Sequence, residues 1–276
     1  MILDTIVTAT RIRVEKAKKH LPLEELKSTI YGGEGVKSFH SRNAFAFERA
    51  LRKNRSPFIQ ENSIAVICEV KKASPSKGLI VETFNHLDIA KEYVGAGADA
   101  LSVLTEPEFF LGDNRYLSEI SSRVPIPVLR KDFIIDEYQI YEAKLLGADA
   151  VLLICSLHTT HGLQQYLKLC NELGLSALVE AHTDVEVLSA IQAGARLIGV
   201  NNRNLKTFEV DINNSIRLRQ IVPKDIIFVA ESGIHTAADI SALYATGVDA
   251  VLIGETMMRS DNKKETLTRL RGPGGR

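Results

Sequence analysis

Gly97-Ala98-Asp99-Ala100, Gly147-Ala148-Asp149-Ala150 and Gly247-Val248-Asp249-Ala250 are three nearly identical tetrapeptides, with a looser copy at Gly194-Ala195-Arg196. Counting that copy, neighbours stand roughly fifty residues apart, about two barrel units each. Each tetrapeptide follows a helical pattern, such as Ile89 to Val94 or Ile140 to Leu146, and leads into a short apolar run. The glycine suits the left-handed position that ends a helix, and the run after it reads as a buried parallel strand. Working outward in both directions, the same alternation gives eight strands: Ile64–Val70, Leu101–Leu104, Pro127–Leu129, Val151–Ile154, Ala177–Val179, Leu197–Val200, Ile226–Ala230 and Val251–Ile253.

Short buried runs alternating with helices are βαβ units. Eight of them, with no GxGxxG after the first strand, favour a closed (β/α)8 TIM barrel over a doubly wound sheet. The length of 276 residues is that of one such α/β domain with additions. Asp99, Asp149 and Asp249 precede their strands and so fall on the bottom face, where a stabilising role is expected. Residues 1–60 form an N-terminal helical extension, too short and polar to fold alone, that packs on the barrel. Its apolar stretch Phe45 to Leu51 needs a surface, and the barrel mouth is the expected one. Ile2, Leu3, Ile6 and Val7 lie on one side of an amphipathic helix at its start. Residues 262–276, Gly-rich and basic at the end, read as a disordered tail.

Composition removes several function classes. Lys plus Arg and Asp plus Glu are both 34, so charge offers no case for nucleic acid or an anionic membrane as partner. No apolar run is long enough to span a bilayer, and the basic N-terminus lacks the apolar core and cleavage site of a leader. Cys68, Cys155 and Cys170 are scattered, two of them inside predicted strands, and suit a reducing cytoplasm as small core residues. His158 and His161 have no third ligand within the sequence pattern, so no metal site is expected.

In this fold the C-terminal ends of the strands face the active site. Those ends carry Glu69-Val70-Lys71 with Ser74 beyond, Arg130-Lys131-Asp132-Phe133, Glu180-Ala181-His182, Asn201-Asn202-Arg203, Glu231-Ser232-Gly233 and Gly254-Glu255-Thr256. Opposite charges at the same end of many strands converge on one mouth and shift each other's pKa values. Glu69 and Lys71 are two apart on a strand and point the same way. Ser232-Gly233 and Gly254-Glu255 each open a helix after the last two strands, the usual phosphate cradle of a barrel.

At these residues the chain resembles the indole-3-glycerol phosphate synthase family. Glu69-Val-Lys71-x-x-Ser74-Pro75, Leu129-Arg-Lys131-Asp-Phe133, Leu178-Val-Glu180-Ala-His182, Ile198 to Leu205 and Glu231-Ser-Gly233 carry the likeness, which extends from Ile2 to about Met258. The resemblance implies closure of the indole ring in tryptophan biosynthesis. The substrate would be 1-(2-carboxyphenylamino)-1-deoxyribulose 5-phosphate, and carbon dioxide and water would leave. It implies Lys131 as general acid, and Lys71 with Glu69 and Glu180 as the acid and base of dehydration. Asn201 would orient a substrate hydroxyl, while Ser74, Lys71 and Arg203 would meet carboxylate and phosphate. Glu231 would contact substrate, and the phosphate would rest on Ser232, Gly233, Gly254 and Glu255 through backbone N–H. Phe110, Phe133, Leu152 and Leu205 would wall the aromatic ring. The resemblance implies no metal or organic cofactor, and it leaves other tryptophan-pathway enzymes open as partners.

Two other readings compete. A phosphosugar barrel isomerase, such as phosphoribosylanthranilate isomerase, would share the cradle but use a Cys/Asp or Asp/Asp pair. A catalytically silent binding barrel would be expected to lose Glu69, Lys71, Lys131 or Glu180, and all four stand in the sequence.

Overall fold

The computed structural model describes residues 2–32, 43–52, 64–204 and 207–272. Eight parallel strands close into a barrel: β1 (Ala65–Val70), β2 (Ala100–Leu104), β3 (Val128–Lys131), β4 (Ala150–Ile154), β5 (Ser176–Ala181), β6 (Leu197–Asn201), β7 (Ile227–Glu231) and β8 (Ala250–Ile253). Each pairs with its sequence neighbours, and β1 closes on β8 with Ala65 opposite Ala250. All eight expected strands are present, displaced by one or two residues at their ends. Beyond β1, Ala73–Ser74 and Gly78–Leu79 form a small antiparallel ladder that the apolar pattern did not indicate.

The repeat glycines do what their position demands. Gly97, Gly147, Gly194 and Gly247 have φ of 93°, 83°, 89° and 88°, a region costly for residues with a Cβ. The aspartates that follow cap the sheet. Asp99 accepts the backbone N–H of Val66 at 2.7 Å, Asp149 that of Val128 at 2.8 Å, and Asp249 that of Phe228 at 2.9 Å. Each therefore satisfies a donor at the start of the adjacent strand, where the ladder has no carbonyl to offer.

Alternation along the strands makes two cores. Val66, Cys68 and Val70 face outward into the layer under the helices, while Ile67 faces the barrel axis with Leu129, Leu152, Leu178 and Val229. The same parity points Glu69 inward at the top of β1.

The N-terminal extension serves both ends of the barrel. Helix α1 (Ile2–His20) lies at the mouth, where Ile2, Leu3 and Ile6 line the cavity. Arg13 donates to Asp132 and Lys18 to Asp136, both at 2.7 Å, fastening it behind β3. Helix α2 (Leu23–Tyr31) buries Leu26 and Ile30 and packs against α6 (Glu137–Leu145).

Helix α3 (Ala46–Leu51) corrects the expectation for its segment, because it docks on the floor and not on the mouth. Phe47 and Leu51 are fully buried among Ala100, Ala150, Leu197, Ile227 and Ala250, the first residues of their strands. Three of those positions are alanine, leaving room that an aromatic ring fills. The looser repeat copy explains the choice of docking site. Where the others have Asp, Arg196 makes a two-pronged pair with Glu48 of α3 at 3.0 and 2.8 Å and stacks over Phe45.

The tail also requires correction. Within 262–276, Lys263–Arg271 is a helix, α12, capped by Asn262 and burying Leu267 and Leu270 against α4 (His86–Ala96). Its Arg271 donates to Asp99 at 2.9 Å and to the Gly97 carbonyl at 2.8 Å. High charge around two apolar residues concealed the helix. Residues 273–276 lie outside the described ones.

Candidate active site

The mouth gathers side chains from all eight strands or the loops that follow them. Glu69, Lys71, Ser74, Phe110, Lys131, Phe133, Leu152, Glu180, Asn201, Arg203, Glu231, Ser232, Gly233, Gly254 and Glu255 all line one cavity. Leu205, read as part of the aromatic wall, lies outside the described residues.

Lys131 is the hub. Its ammonium donates to Glu180 at 3.1 Å and to Glu231 at 2.5 Å. Burial works against charge on this lysine, but Glu231, Glu180 and Glu69 outweigh it and hold its pKa above the ordinary value. Two buried carboxylates sharing one ammonium cannot both be stabilised equally. Burial and the neighbouring Glu180 push Glu231 up to about 7 despite Lys131, whereas Lys131 and His182 bring Glu180 down against its burial. The set titrates as a unit with one proton to place near neutrality. Glu231, expected among the substrate contacts, is thus first of all the partner of Lys131. One of its oxygens, Oε1, is buried with no hydrogen bond.

Glycine makes that arrangement possible. A Cβ on Gly199 would stand 2.2 Å from Glu231 Oε1, so only glycine leaves room for the carboxylate to cross the barrel. Gly254 has the same function on the other side, where a Cβ would meet Glu69 Oε2 at 2.6 Å and Lys71 Nζ at 2.9 Å. Lys71 and Glu69 are paired there. Asn201 donates to Glu180 at 3.3 Å and accepts the N–H of Arg203 at 3.0 Å.

Behind Lys131 stands a polar knot centred on the buried Asp132 and Arg130. Asp132 accepts from Arg13, Thr105, Arg130 and the N–H of Phe133, and Arg130 also meets Glu142 at 2.6 Å. These bonds fix the strand end that carries Lys131 and Phe133.

The aromatic wall is held with similar care. Phe110 and Phe133 are tilted rings 5.9 Å apart. Glu106 places Phe110 by accepting the backbone N–H groups of Glu108, Phe109 and Phe110 at 3.0, 2.7 and 3.0 Å. Glu106, Gly199, Phe208 and the α1 residues Ile2, Leu3 and Ile6 were absent from the sequence-based site. A glycine inside a buried strand was the available signal for Gly199. Nothing in the periodicity of α1 says which end of the barrel it covers.

On the far side, Ser232 adopts φ 67° and Gly233 φ 78°, turning the chain sharply after β7. Strain in a non-glycine residue is tolerated where the surroundings impose it, most often at functional sites. Gly254 opens α11 (Glu255–Met258) beside it, and the Glu255 side chain turns to Arg259 and Lys77. No group of three His, Cys, Asp or Glu residues among the described ones is placed to hold a metal.

The model of the family described as indole-3-glycerol phosphate synthase matches residues 3–270. This chain belongs to that family. It is 57% identical over 272 residues to the indole-3-glycerol phosphate synthase of Ruminiclostridium cellulolyticum, covering 99% of each chain. It is 52% identical to that of Lachnoclostridium phytofermentans, covering 98% of this chain and 99% of the relative. Among solved structures it is similar to the 3-hexulose-6-phosphate synthase of Salmonella typhimurium, with a TM-score of 0.60 over 75% of this chain and 97% of the other. At 16% identity that likeness concerns the barrel alone. No helix of the described residues is long and apolar enough to cross a membrane.

Proposed function

We propose that this chain closes the indole ring of 1-(2-carboxyphenylamino)-1-deoxyribulose 5-phosphate, giving indole-3-glycerol phosphate, carbon dioxide and water. The observation that carries the reading is Lys131, held as an ammonium between Glu180 and Glu231 beside the Phe110–Phe133 wall.

The chemistry follows from that placement. The aromatic ring lies on the phenylalanines, with Leu152 and α1 completing the apolar side. The ring carbon bearing the carboxylate attacks the ketone carbon, and Lys131 donates a proton to the ketone oxygen as it becomes a hydroxyl. Loss of carbon dioxide restores the aromatic ring. The hydroxyl then leaves as water, with Lys71 and the carboxylates of Glu69 and Glu180 moving the protons, and a proton leaves the neighbouring carbon to complete the indole. Asn201 orients Glu180 and a substrate hydroxyl. Arg203, Ser74 and Lys71 offset the substrate's negative charges. The phosphate rests on the N–H groups of Ser232 and Gly233, in the left-handed turn after β7 that precedes the helix starting only at Ala237, and on those of Gly254 and Glu255, where α11 begins.

The partner is this phosphorylated small molecule, with no role for nucleic acid. A cytoplasmic location accords with three buried, unpaired thiols. The direct test adds the carboxyphenylamino deoxyribulose phosphate and follows indole absorbance and fluorescence. Turnover dependent on Lys131 is the expected result, and absence of indole formation by the folded protein overturns the reading.

A further inference from the structure

We propose that His182 is a positioning residue for Glu180, an imidazolium seated between the Glu180 and Glu186 carboxylates that fixes the outer oxygen of Glu180. The inference rests on the reading of Glu180 as a group that acts on substrate.

The ring stands just past the end of β5. Its Nε2 is 3.7 Å from Glu180 Oε1, and its Nδ1 is 3.6 Å from Glu186 Oε2. Both distances exceed a hydrogen bond and describe charge contacts. Nε2 is buried and has no hydrogen-bond partner, so its surroundings offer charge in place of a bond. Lys131 takes the other Glu180 oxygen, Oε2, at 3.1 Å. Oε1 is left to Asn201 Nδ2 at 3.3 Å and to the imidazole. Lys131 and the imidazole thus flank the carboxylate from opposite ends.

The backbone is anchored independently of the ring. Glu186 accepts the N–H of His182 at 2.5 Å and takes part in the Thr183 capping box of α8 (Asp184–Ala193). Asn214 donates to the His182 carbonyl at 3.1 Å from α9 (Asn213–Arg219). His182 is not among the cavity-lining residues, so any effect on the reaction passes through Glu180.

The charged and titratable groups around it favour the cation. Glu180 lies on its own strand, Glu186 on α8 and Glu231 on β7, with Lys131 on β3 beyond Glu180. Cys155, lying against the Glu186 carbonyl, has its thiol pushed up to about 12 by burial and stays neutral. Burial pulls the imidazole down, but Glu186, Glu180 and Glu231 together raise it above its usual value. As pH rises past that value the ring loses its charge, while Lys131 still keeps Glu180 ionised. Glu180 then keeps its charge and loses one of its two holds.

The test combines NMR titration of the His182 ring in the full chain with kcat/KM profiles between pH 6 and 9. The wild-type ring is expected to titrate above the ordinary imidazole range, and measurably lower in Glu180→Gln. His182→Gln, which keeps a donor without the charge, is expected to lose an alkaline fall in kcat/KM that the wild type shows. Glu231, pushed up to about 7, also responds within this window, so the difference between these two profiles is the readout. If His182→Gln does not fold, Glu186→Gln serves, because it is expected to lower the ring pKa and move the alkaline fall to lower pH. A ring pKa unmoved by Glu180→Gln, or superimposable profiles, overturns the inference while leaving the function intact. Full turnover by Glu180→Gln instead overturns the role of Glu180, and this inference falls with it.

Discussion

The two ends of the barrel use the same materials for opposite purposes. Each receives a helix of the N-terminal extension, an aromatic side chain and a set of buried charges. On the floor the charges are matched: three aspartates each take a strand N–H, and Arg196 pairs with Glu48. At the mouth Glu69, Glu180 and Glu231 surround two lysines, one carboxylate oxygen has no hydrogen bond, and Ser232 is held in a left-handed conformation. The floor is built to be stable. The mouth is built to have unsatisfied demand, which a substrate can meet.

That contrast predicts where substitutions act. Lys131→Met gives the largest change, lowering kcat by about 10²–10⁴-fold as expected for a positioned acid, equivalent to roughly 3–5 kcal/mol. KM should change far less. Steady-state kinetics beside Lys71→Met checks it, and a raised KM with kcat intact in Lys131→Met would assign that lysine to binding and the acid to Lys71.

Phe47→Ala is the counterpart on the floor. Removing a fully buried ring should cost about 3–5 kcal/mol of stability, read from the urea midpoint, with kcat preserved below the unfolding transition. A drop in kcat comparable to that of Lys131→Met would erase the division between the two ends. A smaller loss, roughly 1 kcal/mol, is expected for Arg196→Met, whose side chain is 41% exposed and therefore screened.

The last contrast between the two ends is in the pH dependence of stability. Glu231 is raised from 4.5 to about 7 on folding. Between those values the folded state holds a proton that the unfolded chain has released. Its contribution is therefore fully present below about 4.5 and is lost as pH rises through about 7. Glu231→Gln should flatten that decline in urea midpoints measured from pH 4.5 to 7.5, while floor variants should keep it.

The sequence was most informative where one local rule served one purpose. In the three tetrapeptides a Gly ending the helix, an Asp before the strand and an apolar run after it give the barrel, because these bonds join neighbouring strands. The charges at strand ends give the mouth, since strand parity and direction carry them to one rim. Glu180 and Lys131 are legible in this way. The ammonium they share with Glu231 joins β3 to β7 across the barrel, and the Gly199 clearance that permits it is set between the neighbouring β6 and β7. No local pattern records that distance.

The extension and the C-terminal helix belong to the same class. Phe45 to Leu51 is visibly apolar, and so is one side of Ile2 to Val7, but amphipathicity states only that a face must be covered. The choice of floor for α3 and mouth for α1 comes from a hollow ringed by strand-start residues, from Arg196 waiting for Glu48, and from Asp132 waiting for Arg13. Hydrophobic burial is non-directional, so sequence determines that these segments dock, and shape with charge complementarity across the folded barrel determines where.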